Sequence, residues 1–197
     1  MYSDIKIRVA AAEDAGDILA IYAPYVRSTA ISFEYEVPSI DEFTERIRCV
    51  EEKYPYLVAE AEGEIIGYAY VSAFKKRPAY HWAVETSIYI KMDKKRLGIG
   101  RRLYEVLENI LKAQGILNLY ASVAFIEKED EYLTNDSVRF HEKMGYQIVG
   151  KYSKCGCKFG RWYDVVNMEK YIGSHVDNQP RVKAFSEIKD TIDQFLG

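Results

Sequence analysis

The stretch from Val84 to Lys112 constrains the fold more than any other part of the chain. Val84-Glu85-Thr86-Ser87-Ile88-Tyr89-Ile90 reads as a strand, and the helix-like run Leu103 to Lys112 follows it closely. Between them lies Lys94-Lys95-Arg96-Leu97-Gly98-Ile99-Gly100-Arg101-Arg102. The order is strand, short basic glycine loop, helix. Glycine lets backbone N–H groups come close to a ligand. A helix N-terminus adds unpaired donors and a positive partial charge. Arg96, Arg101 and Arg102 add full charges, and together these features suit a polyanionic phosphate group. A tight turn with a solvated basic face is the other reading of the same loop. The pattern is neither Gly-x-x-x-x-Gly-Lys-Ser/Thr nor a three-glycine dinucleotide fingerprint.

The 197 residues make one domain of ordinary size with room for an appendage, and 48% hydrophobic residues supply a core. With 27 basic and 30 acidic residues the net charge is −3, so no global basic field draws in nucleic acid. The cations cluster instead, at Lys75-Lys76-Arg77, Lys94 to Arg96 and Arg101-Arg102, which points to a small anionic ligand. Cys49, Cys155 and Cys157 are odd in number, and the last two are too close for an ordinary bridge. They read as structural or incidental thiols. With three histidines and no second ligand cluster, no metal site is expected. Met1-Tyr2-Ser3-Asp4 does not resemble a signal peptide, and no apolar run reaches the length of a membrane span. The expected setting is a reducing cytoplasm, away from membranes.

Hydrophobic periodicity predicts the remaining elements. Ile5, Ile7 and Val9 alternate as a first strand, and Ile18 to Val26 form one face of a helix that Pro24 kinks or breaks. Ser39 and Glu42 predict a capping box for a helix to about Lys53. Strands are predicted at 56–61 and 65–74, joined by a tight turn at Glu62-Gly63, and then at 81–90. A helix over 100–114 stops at Gly115, a strand spans 117–125, and an acidic loop holds 127–131. A helix over 135–144 ends at Gly145, and strands over 146–152 and 162–170 complete the pattern. After Ile172 the composition becomes linker-like. Val182, Phe185, Ile188, Ile192 and Phe195 then line one face of a terminal helix that docks on the domain or on a partner, or stays a mobile tail.

This order and these motifs resemble the GCN5-related N-acetyltransferase (GNAT) superfamily, whose Gln/Arg-x-x-Gly-x-Gly/Ala motif holds the pyrophosphate of acetyl-CoA. Here the six residues are Lys95-Arg96-Leu97-Gly98-Ile99-Gly100, with a lysine in first place. Asn135 and Arg139-Phe140-His141-Glu142-Lys143-Met144-Gly145-Tyr146 match the later helix, with histidine where most members have tyrosine. Four further segments resemble the phosphinothricin acetyltransferase-like branch, which acetylates phosphinothricin, methionine sulfoximine or methionine sulfone. They are Ile21-Tyr22 through Ser32-Phe33-Glu34, Arg77-Pro78-Ala79-Tyr80-His81-Trp82, Glu85 to Ile90, and Lys158-Phe159-Gly160-Arg161-Trp162-Tyr163-Asp164. The resemblance covers roughly residues 5 to 172. It implies an α/β (α+β) GNAT fold: a mixed, mostly antiparallel twisted sheet of about seven strands flanked by helices. Acetyl-CoA would lie in the cleft between splayed central strands. The expected division is a GNAT domain over 1–172, then a linker and amphipathic helix over 173–197. An expanded loop at 127–134 departs from the pattern.

The resemblance also implies roles. Glu85 corresponds to a general base that takes the substrate ammonium's proton, since attack on a thioester needs a neutral amine and α-amino groups titrate near ~8. An outward-facing strand carboxylate is the other reading. His141 is either a helical core residue or a proton donor or relay to the departing thiolate. Acetyl-CoA would be held by Ile88, Tyr89 and Ile90, by Lys95 to Arg101 (Lys95, Arg96, Leu97, Gly98, Ile99, Gly100, Arg101), and by Asn135, which is also a helix cap. A backbone N–H near Ile90 would polarise the thioester carbonyl. Arg77 offers a guanidinium fork for a substrate carboxylate. Phe33, Tyr80, Trp82, Ser87, Lys158 and Trp162 complete the expected substrate pocket. The implied reaction is direct N-acetylation of a small amino acid or close analogue by a homodimer. The rivals are a protein N-terminal or lysine acetyltransferase and a non-catalytic CoA-binding regulatory module.

Overall fold

A computed structural model describes residues 5–196. Seven strands form one sheet in the order β1-β2-β3-β4-β5-β7-β6. They are β1 (Lys6–Val9), β2 (Tyr56–Ala61), β3 (Glu64–Ala73), β4 (Ala83–Ile90), β5 (Asn118–Phe125), β6 (Gln147–Lys158) and β7 (Arg161–Tyr171). Only the central β4–β5 pair is parallel. Helices α1 (Ala15–Ser28) and α2 (Ile40–Glu51) cover one face. Helix α3 (Ile99–Gln114) and the one-turn α5 (Phe185–Ile188) cover the other, while α4 (Asp136–Lys143) leans on β5 and α3.

The central pair decides where a ligand can enter. Strands β4 and β5 pair only at Ala83↔Asn118, Val84↔Leu119 and Glu85↔Tyr120. Beyond Glu85 each stays paired on its outer side, β4 with β3 as far as Ile90 and β5 with β7 as far as Phe125, while the two part from each other. The gap therefore lies in the middle of the sheet. Lys91 donates to Ile66 across β3, so the odd-numbered residues of β4 bond β3 and the even-numbered ones face β5. The N–H groups of Ile88 and Ile90 thus point into the gap.

Several elements differ from expectation. Helix α1 runs unbroken through Pro24. Proline forfeits one helical hydrogen bond, but Ile18, Ile21, Tyr22, Tyr25 and Val26 are all buried, and that packing outweighs the loss. Ser39 caps α2 by accepting from the Glu42 N–H at 3.1 Å, whereas the Glu42 carboxylate accepts from Arg46 rather than closing a box. Strand β4 starts at Ala83 because Pro78–Tyr80 forms a 3-10 turn. Strand β6 continues past the expected 152 as far as Lys158, and a two-residue turn, Phe159-Gly160, both with positive φ, joins it to β7, which starts at Arg161 within one residue of expectation. The terminal segment docks on its own domain: Phe185, Ile188 and Ile192 are buried in the α3-side core. Its helix is only α5 followed by a 3-10 turn, Lys189–Gln194.

Candidate active site

The glycine loop takes the form its sequence required. After Ile90 a 3-10 turn, Met92–Lys94, leads to Arg96 and Gly98, both left-handed with φ of 65° and 82°, and Gly98 is the N-cap of α3. Gly98 is needed for its backbone, since a Cβ there would meet open space. Gly100 is needed for room: a Cβ would lie 3.2 Å from the Phe140 ring and 3.3 Å from Ile88, so β4, α3 and α4 meet there. Lys95 is exposed, with Nζ 4.9 Å from the Tyr25 ring centroid, and partial desolvation there lowers its pKa. Arg96 and Arg101 are exposed around the first turn; Arg96 reaches Asp136 of α4 at 3.3 Å and Arg101 pairs with Glu105. Leu97 is exposed, whereas Ile99 is buried in the core. Positive-φ backbone, a helix N-terminus and three cations at the mouth of the gap fit a diphosphate.

Two carbonyl or amide contacts shape the sides of the gap. Tyr25 donates its hydroxyl to the Ile90 carbonyl at 2.5 Å, and burial pushes that phenol up to about 12. Across the gap, the Asn135 amide donates to the Ile126 carbonyl at 2.8 Å and accepts from the Ile126 N–H at 3.3 Å. Asn135 holds the N-cap position of α4 without a side-chain capping bond, so its side chain prolongs the edge of β5 instead. The loop before it is well tied. The Glu129 carboxylate accepts from Asn135 N–H and Arg139, while Asp130 accepts from Tyr132 and Leu133 N–H and pairs with Arg161.

Glu85 sits at the crotch of the fork, in the last β4–β5 pair, partly exposed. Strand alternation puts Ser87 and Tyr89 on its face. Ser87 opposes Tyr70 of β3, whose hydroxyl lies beside it and whose pKa is raised by burial. Glu34, unselected from sequence, lies on this side too: Oε1 pairs with Arg46 at 2.8 Å, and Oε2 is buried near the Tyr22 hydroxyl without a completed hydrogen bond. Its only sequence signal was its place beside Phe33. Phe33 lines the neighbouring wall, packed so tightly on β6 that a Cβ at Gly156 would fall 2.2 Å from its ring. Arg77 is exposed and caps the 3-10 turn carrying Tyr80. Phe74 stacks on Tyr120 at 4.1 Å and meets Tyr80 edge-on at 5.9 Å, which ties this loop to β5 beside Glu85. Trp82 donates its indole N–H to the Pro180 carbonyl at 2.7 Å.

Three expected roles change. Lys158 is buried, and its ammonium donates to the carbonyls of Val26 (2.8 Å), Thr29 (2.9 Å) and Ser32 (2.6 Å). All three of its protons are used, so it caps the end of α1 and sets the Ser32-Phe33-Glu34 loop. Trp162 lies opposite Cys157 near the hairpin tip, on the other face from Tyr163, and is 60% exposed; the fold does not bring it to Phe33 or Glu85. His141 is buried at 3% exposure, and burial lowers its pKa. Its Nδ1 bonds the Ser137 carbonyl at 2.7 Å, which requires that nitrogen to carry the proton. Nε2 then accepts from the Tyr104 hydroxyl at 3.0 Å. A histidine held this way has no proton to hand directly to a thiolate, and its route outward is Tyr104. Thr86 links the same buried cluster to Tyr146 at 3.2 Å.

Among the described residues no group of three or more His, Cys, Asp or Glu is placed to hold a metal ion, and no helix is long and apolar enough to cross a membrane.

A sheet forked at its centre, with a basic left-handed loop feeding a helix at the fork's mouth, defines a class of acyl-CoA-binding folds. Residues 7–167 match the acetyltransferase (GNAT) domain family, and the chain belongs to it. It is an acetyl-CoA-dependent N-acetyltransferase. A phosphinothricin N-acetyltransferase of Streptomyces viridochromogenes is 35% identical over 82% of this chain and 84% of its own. An L-methionine sulfoximine/L-methionine sulfone acetyltransferase of Pseudomonas aeruginosa is 35% identical over 83% of this chain and 92% of its own. The crystal structure of a GNAT superfamily phosphinothricin acetyltransferase from Sinorhizobium meliloti, in complex with AcCoA, superposes with a TM-score of 0.81 at 30% identity. It covers 94% of this chain and 99% of that one.

Proposed function

We propose that Glu85 is the general base of this enzyme and that the acceptor amine reaches it on the α1/α2 side of the fork. The reaction is transfer of acetyl from acetyl-CoA to the amino group of a small amino acid or analogue, of the phosphinothricin, methionine sulfoximine or methionine sulfone type. The relatives' activities support that acceptor class. One observation carries the reading of the residues: β4 and β5 separate immediately after Glu85, so a carboxylate stands where one face of the sheet opens onto the gap.

The rest follows from position. Lys95 to Arg101 and the α3 N-terminus hold the diphosphate, and Asn135 lines the pantetheine path at the β5 edge. The Ile88 and Ile90 N–H groups, unused by β3, donate to the thioester oxygen as negative charge builds there. Glu34 and Tyr70 orient the ammonium, Arg77 pairs with the acceptor carboxylate, and Glu85 removes the proton directly or through water. His141 acts through Tyr104 as a positioning residue. The enzyme works in the cytoplasm, consistent with three free cysteines. It pairs as a homodimer, for which the exposed apolar Ile148, Val149 and Tyr152 on the outermost strand β6 offer a surface.

The test is Glu85→Gln, which keeps shape and removes basicity. Turnover should collapse near pH 7 and recover as pH rises toward the acceptor amine's own pKa of ~8, where the amine deprotonates unaided. Wild-type turnover across pH 6 to 9 in the variant would remove Glu85 from this role.

A further inference from the structure

Three consecutive residues at the end of β6 hold the loop from Ser32 to Tyr35. Gly156 packs against Phe33 so closely that a Cβ would fall 2.2 Å from its ring. The Cys157 carbonyl accepts from the Tyr35 hydroxyl at 2.5 Å, and Lys158 donates to the Ser32 carbonyl at 2.6 Å. Two free thiols, Cys155 and Cys157, flank Gly156. Exposure alternates along this stretch: Cys155 is exposed and Cys157 partly so, while Gly156 and Lys158 are buried. Strand alternation therefore puts both thiols on the outer face and Gly156 and Lys158 on the inner one.

We infer that Cys155 and Cys157 are a modification site: a hydroperoxide oxidises them to a reversible disulfide within the chain, and the bridge loosens the Phe33 wall. The effect on the acceptor rests on the function proposed above, whereas the bridge does not. In a flat strand, residues two apart have Cα atoms about 6.6 Å apart, close to the upper limit of about 6.8 Å for a disulfide. The strand is not flat here. Its register jumps from Tyr152↔Val165 to Gly156↔Tyr163, so Ser153, Lys154 and Cys155 all lie opposite Asp164. Lys154 takes a φ of 50°, and its N–H donates to Asp164 at 2.7 Å. Cys155 falls in this bulge, outside the paired register, and is able to swing toward Cys157. The glycine between them lets the backbone pinch.

The chemistry balances in two steps. The thiolate of Cys155, the more exposed of the pair, attacks a peroxide oxygen; the O–O bond breaks, and a sulfenic acid forms as the departing oxygen takes up a proton. The Cys157 thiol then attacks the sulfenyl sulfur, the S–S bond forms, and water leaves. In total the protein gives up two hydrogens and the peroxide is reduced. A bridge across a single glycine is strained, so it is more reducible than an ordinary disulfide and a small thiol reverses it through a mixed disulfide. Closing it pinches the backbone at Gly156, on which Phe33 rests, and moves the Cys157 carbonyl that holds Tyr35. Close-packed contacts do not absorb such a shift, so the wall gives way.

The experiment treats the Cys49→Ser protein, which keeps only these two thiols, with hydrogen peroxide. Free thiols are counted, and the proteolytic peptide carrying both cysteines is weighed without reductant. That peptide should be lighter by two hydrogens, and dithiothreitol should return it to its starting mass. Neither Cys155→Ser nor Cys157→Ser on the same background should yield it. The bridged protein should show KM for the acceptor raised about tenfold with KM for acetyl-CoA unchanged, and dithiothreitol should restore it. An unchanged mass, a gain of oxygen in place of the loss of hydrogen, or a disulfide joining two chains would overturn the bridge. A bridge that forms and leaves the acceptor KM unmoved would overturn its link to Phe33. If the reduced protein acetylates no α-amino acid, the acceptor reading falls and the link to Phe33 with it, while the mass of the peptide still decides the bridge.

Discussion

Replacing Lys158 by methionine keeps the aliphatic stem and removes the buried ammonium. Three carbonyls, of Val26, Thr29 and Ser32, lose a charged donor at 2.6 to 2.9 Å. Hydrogen bonds to a charged group are worth about 1.5–3 kcal/mol each, so the gross loss is roughly 5–9 kcal/mol. Burying the ammonium costs several kcal/mol, which the variant recovers. The net loss should be about 2–4 kcal/mol, read as a lower midpoint in urea at unchanged slope. The same change frees the loop bearing Phe33 and Glu34, so KM for the acceptor should rise while acetyl-CoA affinity stays put. Desolvation holds the Lys158 pKa below its unfolded value of ~10.4. The unfolded chain therefore binds more protons in the window just below that value, and wild-type stability gains from this group as pH climbs through it. The stability gap between wild type and Lys158→Met should widen over the same window. A loss below about 1 kcal/mol, or an unchanged acceptor KM, would refute the view of Lys158 as the clamp of this loop.

Other substitutions separate the remaining roles. Gly98→Glu forces a side chain onto a φ of 82° and sets a negative charge at the α3 N-terminus; calorimetry should show acetyl-CoA binding weakened at least tenfold in a protein that still folds. Arg77→Ala should raise KM for a carboxylate acceptor by roughly ten- to a hundredfold and leave KM for acetyl-CoA alone, and equal wild-type kinetics for an amino acid and its amide would contradict the pairing. His141 is held neutral by burial, with its pKa below the unfolded ~6.5, so its contribution to stability is present above that pH and is lost as pH falls through the folded value. His141→Gln should flatten this acid-side decline in melting temperature and lower turnover with acetyl-CoA affinity nearly intact; a variant that is both folded and fully active would exclude any part for His141 in the reaction.

The sequence determined what local chemistry can encode. Gly98 and Gly115 bracket α3 because left-handed positions favour glycine, and Glu62-Gly63 turns a hairpin for the same reason. Alternation placed Glu85 in a strand, and the loop motif with the segments around Phe33, Arg77 and His141 was enough to indicate the family before any fold was known. Tertiary structure decided which groups remain available for chemistry. Lys158 resembles a pocket residue until carbonyls at the end of α1 and in the loop after it, 126 to 132 residues away, take all its protons. Register puts Trp162 on the face opposite Tyr163, exposed near the hairpin tip. His141 reads in sequence as either a core residue or a proton donor or relay, and the partners of its two nitrogens, one from its own helix and one from α3, fix its tautomer. Pro24 breaks a helix in isolation but not one whose face is buried on a sheet. The terminal segment could have docked anywhere until α3 and Trp82 supplied its partners. Each of these outcomes depends on contacts between residues remote in the chain, and such contacts leave no periodicity for a sequence to display.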